Sequence, residues 1–178
     1  VAKDQVNRVL AMFGRKEELP DKVVIAGAGN VGQYVARRLE ESRNDISVRL
    51  IETNRVKAQQ AAEKLEKSIV VYGSTLNGEI MREVGIEQCQ MFLGLTNDDE
   101  TNILSCVLAS EMGGATTIAL VNQAQYPRFA RRLNVDAFLN PRAATVSKIL
   151  RHVRRGRIRG VYSLYNGAAE LLEAEALE

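Results

Sequence analysis

Apolar and polar positions follow one another along the chain in a regular order. Six short apolar runs alternate with longer segments in which apolar residues recur every three or four positions. Short apolar runs are typical of buried strands, and the spacing of three and four is typical of amphipathic helices. Strands are predicted at 22–26, 47–51, 68–72, 90–95, 116–121 and 136–139. Helices are predicted at 31–42, 55–67, 77–84, 99–112, 124–133 and 143–155.

Strict alternation of strand and helix indicates an α/β protein with a parallel sheet. The connecting loops differ in type, which favours a single sheet over a solenoid of equal repeats. Right-handed crossovers and a glycine-rich turn after the first strand predict the order 3-2-1-4-5-6. We therefore expect a Rossmann-like, doubly wound, parallel six-stranded sheet with helices on both faces.

The two ends of the chain lie outside this alternation. Residues 1–20 are predicted to be a helix and linker from a preceding lobe, and residues 21–156 the domain that contains the six-stranded sheet. Residues 157–178 are predicted to begin a further lobe, with a strand at 161–165 and a helix at 168–176. This last segment is too short to bury a core of its own.

A glycine-rich turn of the form G-x-G-x-x-G joins the first strand to the first helix. Gly27 permits a sharp turn, Gly29 leaves room for a pyrophosphate, and Gly32 allows the helix to pack closely on the strand. The free N–H groups and the dipole at the start of that helix favour a phosphate. The residues expected at this phosphate site are Gly27, Ala28, Gly29, Asn30, Val31 and Gly32. The alternative is a glycine turn that serves packing alone.

Glu52 ends the second strand about 20 residues after the turn, where a carboxylate accepts ribose hydroxyls in dinucleotide-binding proteins. The same charge would repel a 2′-phosphate, so NADP is expected to bind poorly. Ligands of open parallel sheets bind beyond the carboxyl ends of the strands. Further binding residues are therefore expected after strands two, three and four: Thr53, Asn54, Arg55, Gly73, Ser74, Thr96, Asn97, Asp98 and Glu100.

These candidates have different expected roles. Arg55 either contacts the adenine or a phosphate, or is a solvated residue of the first helical turn. Gly73 and Ser74 are expected beside the adenine, and Thr96 is expected to donate its hydroxyl near the pyrophosphate or the second ribose. The acidic stretch 97–100 is interpreted mainly as helix capping by Asn97 or Asp98. In the alternative interpretation, Glu100 or a neighbour responds to a phosphate or a cation.

Composition narrows the range of functions. The net charge is +2 with acids and bases interspersed, which does not favour a nucleic-acid partner. His152 is the only histidine, so neither a metal site built on histidines nor a Ser-His-Asp triad is predicted. Cys89 and Cys106 are too far apart for a C-x-x-C redox or zinc motif, and no residue is assigned as a metal ligand. No catalytic residues are therefore predicted, which favours a regulatory ligand site over an enzyme. A NAD-dependent oxidoreductase domain is the alternative.

Three motifs resemble the potassium-conductance regulatory domain, called RCK or KTN. They are the glycine turn at 23–32, the segment 50–55 that contains Glu52, and Leu-Thr-Asn-Asp-Asp-Glu-Thr-Asn at 95–102. The resemblance covers about residues 22–155. The chain departs from the family's common Gly-Asp after strand three, where it has Gly73-Ser74, so no carboxylate is expected there.

The resemblance implies a nucleotide-sensing regulatory subunit, a gating-ring component of a potassium uptake channel or transporter. NAD(H) is the expected ligand, with ATP or ADP as alternatives at the same site. The expected partners are a membrane-embedded channel subunit and further copies in a dimer or ring, partly through the helix at 143–155. The expected location is the cytoplasm, at the inner face of the plasma membrane. The resemblance also implies that this is the second of two nucleotide-binding lobes.

Overall fold

A computed structural model describes residues 20–42, 45–123, 125–126, 132–153, 158–164 and 169–174. Six parallel strands form one sheet in the order β3-β2-β1-β4-β5-β6. The strands are β1 Lys22–Ala26, β2 Ser47–Glu52, β3 Ile69–Tyr72, β4 Met91–Gly94, β5 Thr116–Leu120 and β6 Ala137–Leu139. The predicted fold class and strand order are confirmed.

Helices connect these strands on both faces of the sheet. They are α1 Asn30–Ser42, α2 Arg55–Lys64, α3 Gly78–Glu83, α4 Asp99–Gly113 and α5 Pro141–Val153, with a 3₁₀ turn at Ile86–Gln88. The predicted helix at 1–14, and residues 124 and 127–131 of the predicted helix at 124–133, lie outside the described residues.

Two apolar cores lie on opposite faces of the sheet. Alternate residues of β1 enter different cores, because successive side chains of a strand point to opposite faces. Val23 and Ile25 pack with α1 and α2 residues such as Ala36 and Ala61. Val24 and Ala26 pack in the other core, which includes residues of α3 and α4 such as Met81, Ile103 and Cys106. The β1 strand is therefore covered on both sides, which fixes its position at the centre of the sheet.

Helix α2 ends at Lys64 rather than at the predicted residue 67. Leu65 leaves the helix in an extended conformation. Buried Glu40 accepts hydrogen bonds from the N–H groups of Lys67 (3.1 Å) and Ser68 (2.7 Å). These two N–H groups are thus bound by a carboxylate on α1 rather than by helical carbonyl groups.

The prediction of a helix at 168–176 was wrong. Residues Ala169–Ala174 form strand β8, which pairs antiparallel with β7, Ile158–Leu164. The segment Ala-Glu-Leu-Leu-Glu-Ala has high intrinsic helix propensity, but propensity is a weak preference that tertiary pairing overrides. The β7–β8 pair forms a sheet separate from the six-stranded one.

Candidate functional site

The turn between β1 and α1 requires glycine at two positions for backbone reasons. Gly27 has a φ of +98°, in the left-handed region that favours glycine, and its N–H donates to the Ile51 carbonyl oxygen at 2.8 Å. A Cβ on Gly32 would lie 2.0 Å from the Gly27 carbonyl oxygen, so α1 could not pack at this distance. Both glycines are needed by the fold whether or not a ligand binds.

Gly29 is different, because a Cβ at this position would meet no atom within 4 Å. The space above it belongs to an open cleft of about 290 Å³ at the carboxyl ends of the strands, near the lower limit of small-molecule sites. The residues that line it are Gly27, Gly29, Ile51, Glu52, Thr53, Lys57, Ser74, Thr75, Leu76, Leu95, Thr96, Asn97, Asp98 and Thr101. The cleft spans the switch point between β1 and β4, where such sheets bind ligands.

Glu52 connects the end of β2 to the glycine turn. Its Oε2 accepts the Ala28 N–H and its Oε1 accepts the Asn54 N–H, both at 2.9 Å. A carboxylate has about four acceptor positions, so about two remain for a ligand. The backbone bonds orient the carboxylate at the edge of the cleft without using its full capacity.

Thr96 forms the β4 end of the cleft and is held by Asn102, which is fully buried. The Asn102 Oδ1 accepts the Thr96 N–H at 2.8 Å and lies 2.7 Å from the Thr96 hydroxyl. Its Nδ2 donates to the carbonyl oxygens of Thr96 (3.0 Å) and Leu120 (2.9 Å). Asn102 therefore joins the ends of β4 and β5 and fixes the cleft wall.

The hydroxyl proton of Thr96 is engaged inside the protein. It is directed to Asn102 Oδ1 at 2.7 Å or to the Asp98 carbonyl oxygen at 3.1 Å, while the Asp98 N–H donates to the hydroxyl at 3.2 Å. A hydroxyl has a single proton, so Thr96 offers a lone pair to a ligand rather than a donor. This geometry opposes the expectation that Thr96 donates to a pyrophosphate.

The three acidic residues at the start of α4 have different roles. Asp98 is the N-cap: its Oδ1 accepts the Thr101 N–H at 2.7 Å, and hydrogen bonds from Thr101 lower the pKa of Asp98. Asp99 is buried and accepts the N–H groups of Asn122 and Gln123 at 2.9 Å. Glu100 accepts the Tyr126 hydroxyl, and this bond raises the pKa of Tyr126.

Half of the predicted site residues line the cleft. They are Gly27, Gly29, Glu52, Thr53, Ser74, Thr96, Asn97 and Asp98. The other predicted residues are not part of the lining: Ala28, Asn30, Val31, Gly32, Asn54, Arg55, Gly73 and Glu100. Several of these have visible local contacts: Asn54 caps α2 through the Lys57 N–H at 3.0 Å, and Gly73 packs against Ile80.

The cleft lining also contains residues that were not predicted from the sequence, among them Lys57, Thr75, Leu76 and Thr101. Lys57 and Thr101 lie in the first turns of α2 and α4, at N3 of each helix. Helical Cα–Cβ bonds tilt toward the helix N-terminus, so side chains of the first turn reach back to the strand end. This tilt was the signal that could have identified them.

Charge in the described lining comes from Glu52, Asp98 and Lys57. Within the described residues, no three His, Cys, Asp or Glu side chains come close enough together to hold a metal ion. No helix of the described part has both the length and the apolar character of a membrane span.

Comparison with known proteins places residues 23–141 within the TrkA-N domain family. Over 175 residues, the chain is 49% identical to the Trk system potassium uptake protein TrkA of Azorhizobium caulinodans. It is 38% identical to the protein of the same name from Halomonas elongata. Each match covers 98% of this chain and 38% of the relative, so the chain spans about two fifths of the relatives' length.

Solved structures share the fold at low sequence identity. The TrkA-N domain of the inner membrane protein ybaL from Escherichia coli aligns with a TM-score of 0.67 at 18% identity, over 77% of this chain and 99% of that one. The GsuK channel bound to NAD aligns with a TM-score of 0.64 at 16% identity, over 91% of this chain and 30% of that one. The Kef C-terminal domain of Shewanella denitrificans in AMP-bound form aligns with a TM-score of 0.63 at 16% identity, over 74% of this chain and 79% of that one.

The family match covers the glycine turn, Glu52 and the 95–102 segment, the three motifs that resemble an RCK-type domain. That resemblance is confirmed: the chain belongs to the TrkA-N domain family.

Proposed function

We propose that this chain is the nucleotide-sensing lobe of a regulatory subunit of a potassium uptake system. Its curated relatives are named as Trk system potassium uptake proteins, and one is 49% identical over 98% of the chain. The subunit would bind a nucleotide and thereby control potassium flux through a membrane-embedded partner. The second candidate, a NAD-dependent oxidoreductase domain, lacks a supporting constellation among the described cleft residues.

The observation that carries the proposal is the open space above Gly29 beside the oriented carboxylate of Glu52. A Cβ at Gly29 would enter empty space, whereas the neighbouring motif glycines are enclosed by backbone. This is the arrangement that a diphosphate over the turn and a ribose on the adjacent carboxylate require. The first turn of α1 would add its N–H groups and dipole to the phosphate site.

The proposed ligand is an adenine nucleotide, NAD(H), with ATP or ADP as alternatives. Its adenine ring would lie toward β2 and β3, where Thr53, Ser74 and Leu76 line the cleft. Its ribose would meet Glu52, and its phosphates would cross Gly29 toward the β4 end. The structures of GsuK with NAD and of Kef with AMP support this ligand class by fold analogy.

The proposed assembly is a dimer or ring of such lobes at the cytoplasmic face of the plasma membrane, beneath a potassium channel or transporter subunit. Val146 and Ile149 on α5 and Leu104 on α4 are each more than half exposed and would pack against a neighbouring copy. The separate β7–β8 sheet supports assigning residues 157–178 to a different lobe from residues 21–156.

The test is ligand-dependent stability. A ligand present at about 100 times its Kd stabilises the native state by roughly 2.7 kcal/mol, which raises the melting temperature. We expect this rise with NADH and with ADP or ATP, and a smaller one with NADPH, because Glu52 repels a 2′-phosphate. No shift with any adenine nucleotide would refute the nucleotide site.

A second measurement separates sensing from catalysis and links the site to transport. The full-length subunit, reconstituted with its channel partner in liposomes, should change potassium flux when nucleotide is added. The same preparation should not oxidise NADH in the presence of small carbonyl substrates. Steady NADH turnover with flux that ignores nucleotide would favour the oxidoreductase alternative.

A further inference from the structure

Strand β3 lies at an edge of the six-stranded sheet, and its outer side is open. Among the strands that the structure describes, β2 alone pairs with β3, in an unbroken register over all four residues. The Gly73 N–H donates to the Glu52 carbonyl oxygen at 2.9 Å. Successive residues of a parallel strand direct their backbone groups to opposite sides. The N–H and C=O groups of Val70 and Tyr72 therefore face away from the sheet.

The chain around β3 leaves this edge accessible and uncharged. Helix α2 enters β3 from the side of β2, and α3 leads on toward β4, so both connections run toward the centre of the sheet. Ile69 and Tyr72 are 54% and 57% exposed, and residues 68–77 contain no charged side chain. Edge strands are commonly protected from further pairing by charges, proline or a bulge. Strand β3 has none of these features, which indicates an edge that accepts another strand.

A second copy of the chain satisfies the outward-facing backbone groups of β3. Two copies related by a two-fold axis through Val71 would pair their β3 strands antiparallel. Val70 would then lie opposite Tyr72 of the second copy at both ends of the contact, as a hydrogen-bonded pair. Because these two residues carry the outward-facing groups in each copy, every one of those groups acquires a partner.

The side chains of the two copies are complementary in the same register. Ile69 falls opposite Gly73 of the second copy, and opposed side chains of an antiparallel pair lie on one face. A Cβ on Gly73 would lie 2.8 Å from the Ile80 side chain, so Ile80 covers that glycine. The exposed Ile69 would therefore pack against Ile80 of the second copy. On the other face, the Tyr72 ring would pack against Val70, an aromatic and β-branched pair of the kind that stabilises sheets.

The proposed ring needs a second contact of this kind. The exposed apolar residues of α4 and α5 supply one contact between copies. A contact with two-fold symmetry joins only two copies, so a ring built from such dimers requires another surface. Strands β3 and β6 are the two edges of the sheet, and α5 follows β6. The edge of β3 is thus at the opposite end of the sheet from the first contact.

We infer that β3 is an interface between copies of this chain, at which two six-stranded sheets join into one continuous sheet with Val71 on the two-fold axis. The inference rests on the proposed function only for the ring, because neither the register nor the packing of β3 depends on a bound nucleotide. A different strand in this position would have to match both the glycine opposite Ile69 and the tyrosine opposite Val70.

Cysteine cross-linking of the full-length subunit tests the register. Val71 would form a non-hydrogen-bonded pair with its counterpart, and the Cα atoms of such a pair lie about 4.5 Å apart. This separation is within the range that a disulfide bridges. Val71→Cys should therefore convert most of the subunit to a covalent dimer under mild oxidation with diamide, and dithiothreitol should reverse it.

Val70→Cys is the matched control. Both valines are partly buried, and each packs against one of the two cores. In the proposed register, residue 70 lies about 8 Å from its own counterpart, which is too far for a disulfide. Val70→Cys should remain almost free of covalent dimer, and so should the wild type, in which Cys89 and Cys106 are buried.

A charge on the edge tests the same contact without oxidation. Ile69→Lys would place two lysines against apolar surface, so sedimentation should show subunit association weakened by about tenfold or more. Tyr34→Lys is the control, because Tyr34 is 66% exposed on α1, away from the edge. It should leave association unchanged.

Three results would each overturn the β3 interface: no covalent dimer with Val71→Cys, equal cross-linking of Val71→Cys and Val70→Cys, or equal weakening of association by the two lysine variants. Melting curves of the same preparations with NADH and ADP report separately on the nucleotide site. A normal nucleotide shift without cross-linking would refute the interface alone, and cross-linking without any nucleotide shift would refute the nucleotide site alone.

Discussion

The glycines of the turn show how one sequence motif combines two physical requirements. Gly27 and Gly32 are fixed by backbone geometry, through a positive φ and a 2.0 Å approach to a carbonyl oxygen. Gly29 faces open space and has no such requirement. The spacing of the motif predicted all three, but only the structure separates the glycine available to a ligand from those needed for folding.

Substitutions at Gly32 and at Gly29 should therefore change the free energy of unfolding by different amounts. Gly32→Ala should lower the free energy of unfolding by about 1–3 kcal/mol or more, because the new Cβ overlaps the Gly27 carbonyl oxygen. Gly29→Ala should change it by less than about 1 kcal/mol. Urea denaturation measures both values, and equal losses in the two variants would contradict this separation of roles.

Glu40 should make stability depend on pH. Burial raises the pKa of Glu40, but hydrogen bonds from the Ser68 side chain and from the N–H groups of Lys67 and Ser68 outweigh it and place the pKa below its ordinary value of 4.5. A lowered native pKa means that the ionised group stabilises the fold above pH 4.5 and that this contribution is lost as pH falls through the native pKa.

Urea denaturation between pH 3 and 7 measures this effect. Glu40→Gln should be less stable than the wild type by about 1–3 kcal/mol at pH 7, because it weakens hydrogen bonds to a charged acceptor. The difference should shrink as pH falls below 4.5. Glu41→Gln, one residue along α1 and exposed, is the control. A difference between wild type and Glu40→Gln that stays constant with pH would contradict the assigned pKa direction.

At the scale of elements, α4 is the helix that organises the cleft. Asp98 caps it, Asn102 connects it to the ends of β4 and β5, and Asp99 binds the segment after β5. The sequence predicted the helix and its capping, but not that Asp99 and Asn102 brace neighbouring strands. Those bonds join residues about 20 positions apart, and no local pattern reports them.

The hydrogen bonds that Asp99 accepts from the segment after β5 can be tested directly. Asp99→Ala removes the acceptor for the N–H groups of Asn122 and Gln123 and should lower the free energy of unfolding by about 2–3 kcal/mol. Hydrogen exchange at these two amides should accelerate more than at amides of β1. Glu111→Ala, in the exposed part of α4, should leave both quantities nearly unchanged. Unaltered exchange at residues 122 and 123 in Asp99→Ala would show that the hydrogen bonds to Asp99 do not stabilise this segment.

Element β8 marks a limit of local prediction. The segment Ala169–Ala174 has residues that favour a helix, yet it pairs with β7 in an antiparallel register that sets Leu171 opposite Tyr162. Pairing between strands depends on the partner strand as well as on the segment itself. The central strands β1 and β4 were predictable because each is a nearly continuous apolar run that is buried on both faces. The edge strands β3 and β6 are only partly buried, and their position in the alternation of strands and helices predicted them.

At the scale of the whole molecule, the sheet order brings together residues that are distant in sequence. The switch point between β1 and β4 places Gly29, Glu52 and Thr96 around one cleft, as the alternation of strands and helices predicted. The strand ends and the glycine turn identified eight of the fourteen residues that line the cleft. Lys57 and Thr101 escaped prediction because they reach the cleft from helical turns rather than from strand ends.

The most direct measurement is calorimetric titration of NADH into the wild type, Gly29→Val and Gly78→Ala. Both glycines face open space, but only Gly29 lines the cleft. Our account predicts saturable binding by the wild type and by Gly78→Ala. It predicts no detectable binding by a folded Gly29→Val, whose side chain occupies the diphosphate position. Undiminished NADH binding by Gly29→Val would contradict the central claim.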